Sequence, residues 1–292
     1  MIYIILTIVV SVLLLLVFKA FQKHEVNSIV AIVINYVVAG ITGVIFLGSN
    51  INVDFLFNSN WILISIPLGF LFISIFYLIS QTAQKISIST ASVANKMSVI
   101  MPVLFSVIFL GQQLSILKII GVVLAMFAVY LSTCSYNKEK GEQNLFWLPI
   151  LVFIGSGLID ITINACNALY IKSTDESAVF SICTFLSAFI IGTFVLMYLI
   201  IFKKSILIKD VFNSKNILGG VLLGVPNYFS IYFIFKSLET NVLQSAQLFP
   251  VLNLANVALS AFLGWLVYKE KLAPVNLMGI VLAIISIVLI SF

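Results

Sequence analysis

Charge is what this sequence has least of. Only 9% of its 292 residues are Asp, Glu, Lys or Arg, where a soluble domain carries about a quarter. Arginine is absent altogether, so the formal charge of +5 is 15 lysines against 10 acids. Histidine occurs once, at His24 between Lys23 and Glu25, in a setting that reads as a solvated loop. That scarcity removes paired histidines, an HExxH metal helix and any workable Ser/His constellation. The cysteines, Cys134, Cys166 and Cys183, are odd in number and scattered through apolar sequence. Each reads as a small core residue rather than half of a disulfide or a metal ligand. No cofactor or metal is expected, and no nucleic-acid partner. Gly155 and Gly157 form a GxG inside an apolar run rather than between a strand and a helix, so they suggest close helix packing and not a dinucleotide site.

What the sequence does have is apolar length: 62% of residues are hydrophobic and the mean hydropathy is +1.22. Many runs reach the roughly 20 residues that span a bilayer core as a helix, and the shorter alternating segments of a membrane barrel are missing. The expected fold is an all-α integral membrane bundle. The opening run "MIYIILTIVVSVLLLLVF" has no basic start and no small-residue cleavage site, so it is expected to be a retained helix rather than a signal peptide.

Polar clusters divide the chain into ten candidate helices, 1–18, 28–48, 61–82, 88–110, 115–134, 145–170, 178–202, 216–237, 241–267 and 273–291. Trp61, Trp147 and Trp265 fall at helix ends, where aromatic anchors meet the water interface. The odd-numbered loops hold 11 lysines against 3 in the even-numbered ones, with Lys96 inside a helix. Lysine bias therefore places the odd loops in the cytoplasm, for a multi-pass protein of the cytoplasmic membrane. "SYNKEKGEQN", residues 135–144, is the most polar connection between the two halves. It separates an expected five-helix unit at 1–134 from a second at 145–292. Two related halves with an odd number of helices each must insert in opposite senses, as inverted repeats do.

Internal similarity supports that division. Residues 92–131 align without a gap on 250–289: Asn95 falls on Asn253, Ser98 on Asn256, Gln112 on Glu270, Leu114 on Leu272 and Gly121 on Gly279. Upstream, Gly69 matches Gly224 once three residues are inserted in the second half. The segment "FPVLNLANVALSAFLGWLVYKEKLAPVNLMGIVLAIISIVLIS" resembles the second-repeat signature of the drug/metabolite transporter superfamily, in its EamA-domain branch. Pro250, Glu270, Leu272 and Gly279 carry the likeness, and Pro102, Gly111, Leu114 and Gly121 form a degenerate first copy with Gln112 in place of Glu. The resemblance implies a ten-helix solute carrier with two five-helix inverted repeats and a central cavity, without naming a substrate. Glu270, with Lys269 and Lys271, reads as a solvated structural cap at a helix end.

Ionisable groups at membrane depth are costly, about 2.5–3.5 kcal/mol at the bilayer centre, so their presence points to a cavity or to pairing. Two qualify. Asp160 lies deep in the sixth helix on a stripe with Ser156, Asn164 and Asn167, spaced four, four and three residues apart. Such a stripe lines either a water-filled path or a polar helix seam. Lys96 either reaches the same cavity or snorkels to the cytoplasmic interface. On these helix starts the two differ in depth by ~10 Å, which favours a cavity shared through water or substrate over a direct ion pair. Asn95 and Asn253 come near the midplane by the repeat, with Asn256 beside the latter. Pro226 should kink the eighth helix next to Asn227 and Tyr228, and Asn35 with Tyr36 forms a similar polar pair in the second.

The expected substrate-binding set is therefore Asn35, Tyr36, Asn95, Lys96, Asp160, Asn164, Asn227, Tyr228, Asn253 and Asn256, with Asp160 as proton-coupling candidate. The expected function is secondary transport of a small polar or amphipathic metabolite by alternating access, export being the commoner role among the families it resembles. An amino acid or related compound is one candidate substrate; protons are the candidate coupling ion, and exchange is the other energy source. A lipid or lipid-linked sugar flippase of the same fold is the alternative, and an intramembrane enzyme a remote one. Beyond these, membrane lipid is the only expected partner.

Overall fold

The computed structural model describes residues 1–47, 61–110, 115–133, 145–170, 174–240, 245–270 and 272–291. Gln112, Cys134, the connection 135–144 and the side chains of Asn164 and Asn167 lie outside what is described. The helices are α1 (Ile2–His24), α2 (Ser28–Leu47), α3 (Ile62–Lys85), α4 (Ile88–Met97), α5 (Ile100–Leu110), α6 (Ile116–Thr133), α7 (Trp147–Leu169), α8 (Thr174–Ile201), α9 (Ile208–Val211), α10 (Ser214–Glu239), α11 (Ser245–Tyr268) and α12 (Pro274–Ser291). No strand occurs among the described residues. Helices are what an apolar chain must form in lipid, because only they satisfy each backbone N–H and C=O within the segment. Among the described residues, seven stretches are long and apolar enough to cross a membrane, and Ile116–Ser132, Trp147–Ile163 and Pro274–Ile290 are shorter apolar helices.

Two local expectations change. The helix expected over 88–110 is interrupted at Ser98–Val99, dividing α4 from α5. Pro102 is the cause: it has no N–H, and its ring crowds the carbonyl four residues back, that of Ser98. That carbonyl instead accepts from the Met101 N–H at 2.8 Å in a tighter turn. Trp61 is not an interfacial anchor but is 1% exposed, packed edge-on against Phe180 with ring centroids 5.5 Å apart. Trp147 and Trp265 are exposed at helix ends, as an interfacial belt requires.

One core gathers α1, α2, α3, α8 and α10, a second gathers α6, α11 and α12, and α4 contributes to both. Missing side chains set several of the contacts. A Cβ on Gly121 would stand 3.1 Å from Leu289 Cβ and 2.8 Å from Ile290 Cγ1, and one on Gly279 would stand 2.7 Å from the Ser132 backbone nitrogen. Hence α6 and α12 run antiparallel with their backbones nearly touching, and Ser286 Oγ donates to the Gly121 carbonyl at 2.8 Å. Gly69 brings α3 against Ser187 and Ala188 of α8, while Gly224 brings α10 against Asn35 and Val38 of α2. Outward stripes such as Leu277, Val281, Ile285 and Val288 of α12 are exposed and wholly apolar, a lipid-facing surface.

Candidate functional site

The break between α4 and α5 turns Ser98 toward α7. Its hydroxyl lies 2.8 Å from Asp160 Oδ2 and 2.6 Å from the Asn95 carbonyl. Gly157, one turn before Asp160, makes this approach possible: a Cβ there would collide with Met101 Cγ and fall 3.4 Å from the Ser98 carbonyl oxygen. The GxG of the sequence is thus a packing device, with Gly155 receiving Ile75 of α3 in the same way. Lys96 lies close enough for its charge and that of Asp160 to attract each other. The two make no direct ion pair, however; among the described residues those pairs are Lys19–Glu270 and Lys215–Glu25. Asn95, Lys96 and Asp160 are all half-buried.

Burial changes abruptly along this strand of helix. No side chain from Ile88 to Ala94 is more than 2% exposed, so two turns of α4 are sealed by protein on every side. Beyond it Met97, Ser98 and Ile100 are still buried, whereas Asn95, Lys96, Val99 and Met101 to Phe105 are half-exposed, as are Ile159 to Ile163 of α7. Lys96 and Asp160 therefore sit where the tight burial of α4 gives way to a looser level of the bundle.

The other expected residues form a separate group. Asn227 donates to Asn35 Oδ1 at 3.2 Å across the α2–α10 seam, and both are buried. Asn35 Nδ2 and the Tyr36 hydroxyl, both buried, have no partner among the described residues. Tyr36 is fully enclosed among Phe72, Phe76 and Phe185. Tyr228 packs on Phe46 and Tyr232. On α11, Asn253 is half-buried, whereas Asn256 is buried with Oδ1 unpartnered among the described residues, its carbonyl accepting from Ser92 Oγ at 3.4 Å. Asn164 lies on the described helix α7, but its side chain is outside the description.

Ser98 was absent from the expected set. Its signals were present, four residues before Pro102 and aligned with Asn256. The reading of Glu270 as a solvated cap is corrected. Its side chain is 7% exposed, because Lys269 takes a left-handed φ of 52° and the Glu270 N–H returns to the Gly264 carbonyl at 3.2 Å, turning the chain back over the end of α11. This folds the carboxylate onto the start of α4, where both oxygens accept from the Ile88 N–H at 3.0 and 3.2 Å. Lys19 Nζ stands 3.5 Å from Oε1 and donates to the Gln84 carbonyl at 3.2 Å. Gly264 makes room, since a Cβ there would lie 2.7 Å from Glu270 Oε2. Burial raises the Glu270 carboxyl above its ordinary 4.5, opposed by the Ile88 amide and Lys19.

Comparison with known proteins agrees with this architecture. An uncharacterized protein of Haemophilus influenzae is 26% identical over 290 residues, covering 96% of this chain and 93% of its own. A protein solved by crystallography is 14% identical with a TM-score of 0.59 over 97% of this chain and 95% of that one, which shows a shared fold. The sequence model of the EamA-like transporter family matches twice, over residues 1–134 and 149–292. With nearly its whole length accounted for in this way, the chain belongs to the EamA-like transporter family, and is a multi-pass membrane protein.

Proposed function

We propose that the chain is a ten-span secondary transporter of two inverted five-helix repeats, residues 1–134 and 145–292, carrying a small polar solute through a crevice at the level of Lys96 and Asp160. The observation that supports this is a lysine and a carboxylate of opposite charge, half-buried and not in direct ion contact, inside an otherwise apolar bundle. Unpaired cation and carboxylate side by side suit a solute with both signs, its anionic group at Lys96 and its ammonium at Asp160. An amino acid or related zwitterion is the simplest such compound. The repeat reading is supported by packing: Gly121 meets residues 289–290 and Gly279 meets 131–132, which are the same contact shifted by the 158-residue offset of the sequence alignment. A half-turn axis in the membrane plane would relate them, and rocking about it gives alternating access. By the lysine bias, the start of α4 faces the cytoplasm and the crevice opens outward.

Ser98 adds a route for proton coupling. One hydroxyl carries one hydrogen, so Ser98 donates either to ionised Asp160 or to the Asn95 carbonyl. Protonated Asp160 can itself donate to Ser98 Oγ, freeing the serine hydrogen for Asn95. The charge on Asp160 is thereby linked to the last turn of α4. The test is a thermal-shift screen of the purified protein against amino acids, nucleosides, sugars and cationic drugs, followed by flux measurements in proteoliposomes at varied pH. Stabilisation by amino acids that is lost in both Asp160→Asn and Lys96→Ala is the expected result. Asp160→Asn transporting at the wild-type rate with unchanged pH dependence would end the proton role, and lipid scrambling without solute flux would favour a flippase.

A further inference from the structure

The start of α4 is tightly sealed, and the seal has a charged fastening. Ile88 to Ala94 are buried on all sides, and the Glu270 carboxylate sits at the mouth of this plug. From there it holds four chain segments: the start of α4 through the Ile88 N–H, the end of α1 through Lys19, the end of α3 through the Gln84 carbonyl that Lys19 also engages, and the end of α11 through its own turn. A carboxylate at a helix N-terminus is favoured by the exposed amides and by the helix dipole. Lys96 lies eight residues further along α4, ~12 Å at 1.5 Å per residue, so the fastening and the crevice floor are on one rigid element.

We propose that Glu270, with Lys19, is the latch of a gate at the lysine-rich face. This rests on the transport reading above. Its grip on α4 holds that end shut, and it must release before anything in the crevice reaches that face. The residue does not touch solute; it positions the helix that does. Among the described residues, the hydrogen bond from the Thr90 hydroxyl to the Ser132 carbonyl at 2.9 Å, which also ties α4 to a neighbour there, is neutral. Glu270→Gln keeps an acceptor oxygen for the Ile88 N–H but removes the charge that both Lys19 and the helix dipole hold. It should loosen the latch without unfolding the bundle.

The test needs no known substrate. In a background with the three native cysteines replaced by serine, Ser89→Cys places a near-isosteric thiol inside the plug, at a buried hydroxyl that has no partner among the described residues. A second thiol, from Val99→Cys, tests access to the proposed crevice from a half-exposed position three residues past Lys96. A membrane-impermeant maleimide is applied from either face of sealed vesicles. In the otherwise wild-type protein, position 99 should label from the face opposite the lysines and position 89 from neither. Glu270→Gln and Lys19→Gln should each raise labelling at 89 from the lysine-rich face about tenfold, Lys19→Arg should restore protection, and melting temperature should stay within a few degrees. Protection of 89 persisting in both variants, while 99 still labels, overturns the latch alone. So does an equal rise at a remote buried thiol from Val152→Cys, which would mark general loosening. Failure of 99 to label from either face removes the crevice, and the transport reading falls with the latch.

Discussion

Replacing Gly279 by alanine gives the sharpest measure of how closely this bundle is packed. The new Cβ would meet the Ser132 backbone nitrogen at 2.7 Å and the Ala128 carbonyl oxygen at 3.0 Å. Both are backbone atoms of α6, so no side chain can swing aside. Restoring ordinary contact at 3.4 Å requires α6 and α12 to part by 0.7 Å at that point. A gap of that size forfeits roughly a quarter to a half of the dispersion energy of each contact across it. The affected seam includes Val122, Ala125, Ala128, Val129, Ile280, Ala283 and Ile287, all buried. Overpacking of this kind costs about 1–3 kcal/mol, and backbone on the receiving side places it at the upper end, roughly 2–3 kcal/mol. At 2–4 °C per kcal/mol for a chain of this order, melting in detergent should fall by roughly 5–10 °C. Gly121→Ala, meeting Ile290 and Leu289, should fall comparably. The double variant should lose less than the sum, since the first parting makes room for the second methyl. Gly40→Ala is the control: its Cβ meets only the Leu186 side chain, at 3.2 Å, so it should be neutral or stabilising. Equal melting of Gly279→Ala and wild type, or an equal loss in Gly40→Ala, would refute the reasoning.

Gly157→Ala should push Met101 away from α7 by about 1 Å, stretch the Ser98 contact to Asp160 and lower melting by roughly 1–3 kcal/mol; scanning calorimetry reads the loss, and solutes that stabilise the wild type should no longer do so. Asn227→Leu leaves Asn35 buried without its hydrogen-bond partner and should cost about 1–3 kcal/mol, while Asn35→Leu with Asn227→Leu should recover most of that, a pattern a double-mutant cycle in melting temperature detects. Glu270 binds its proton more tightly folded than unfolded, so its contribution to stability declines as pH rises through the range just above 4.5. Glu270→Gln, which does not titrate, should gain in melting temperature relative to wild type across that rise, and a constant difference from pH 4 to 8 would contradict it.

Much of this was legible in the sequence. Apolar runs located the helices because lipid leaves the backbone no other choice, and the alignment of Gly121 with Gly279 marked a contact that the packing then repeated. Gly155 and Gly157 were legible as packing residues from their setting alone. Other features depended on three dimensions. Pro102 is visible in the sequence, but that the carbonyl it displaces would carry Ser98 to Asp160 depends on where α7 passes. Glu270 looked like a solvated charge because its neighbours in sequence are lysines and a turn. Its real neighbours are Ile88 and Lys19, 182 and 251 residues away, and a left-handed residue at Lys269 is needed to present it to them. Tyr36 and Asn35 looked like cavity residues in the middle of a span, since a period of 3.6 does not tell an aqueous face from a face packed on another helix.

The dependence of Lys96 on a residue 64 positions later has a consequence for how the protein is made. The stretch Ile88–Phe105 is the least apolar of the seven long spans, and it leaves the ribosome before α7 exists. At 5–20 residues per second, Asp160 follows Lys96 by roughly 3–13 s. For that interval the lysine is without the opposite charge that attracts it in the folded chain, so the surroundings of this least apolar stretch are completed only once α7 has been made.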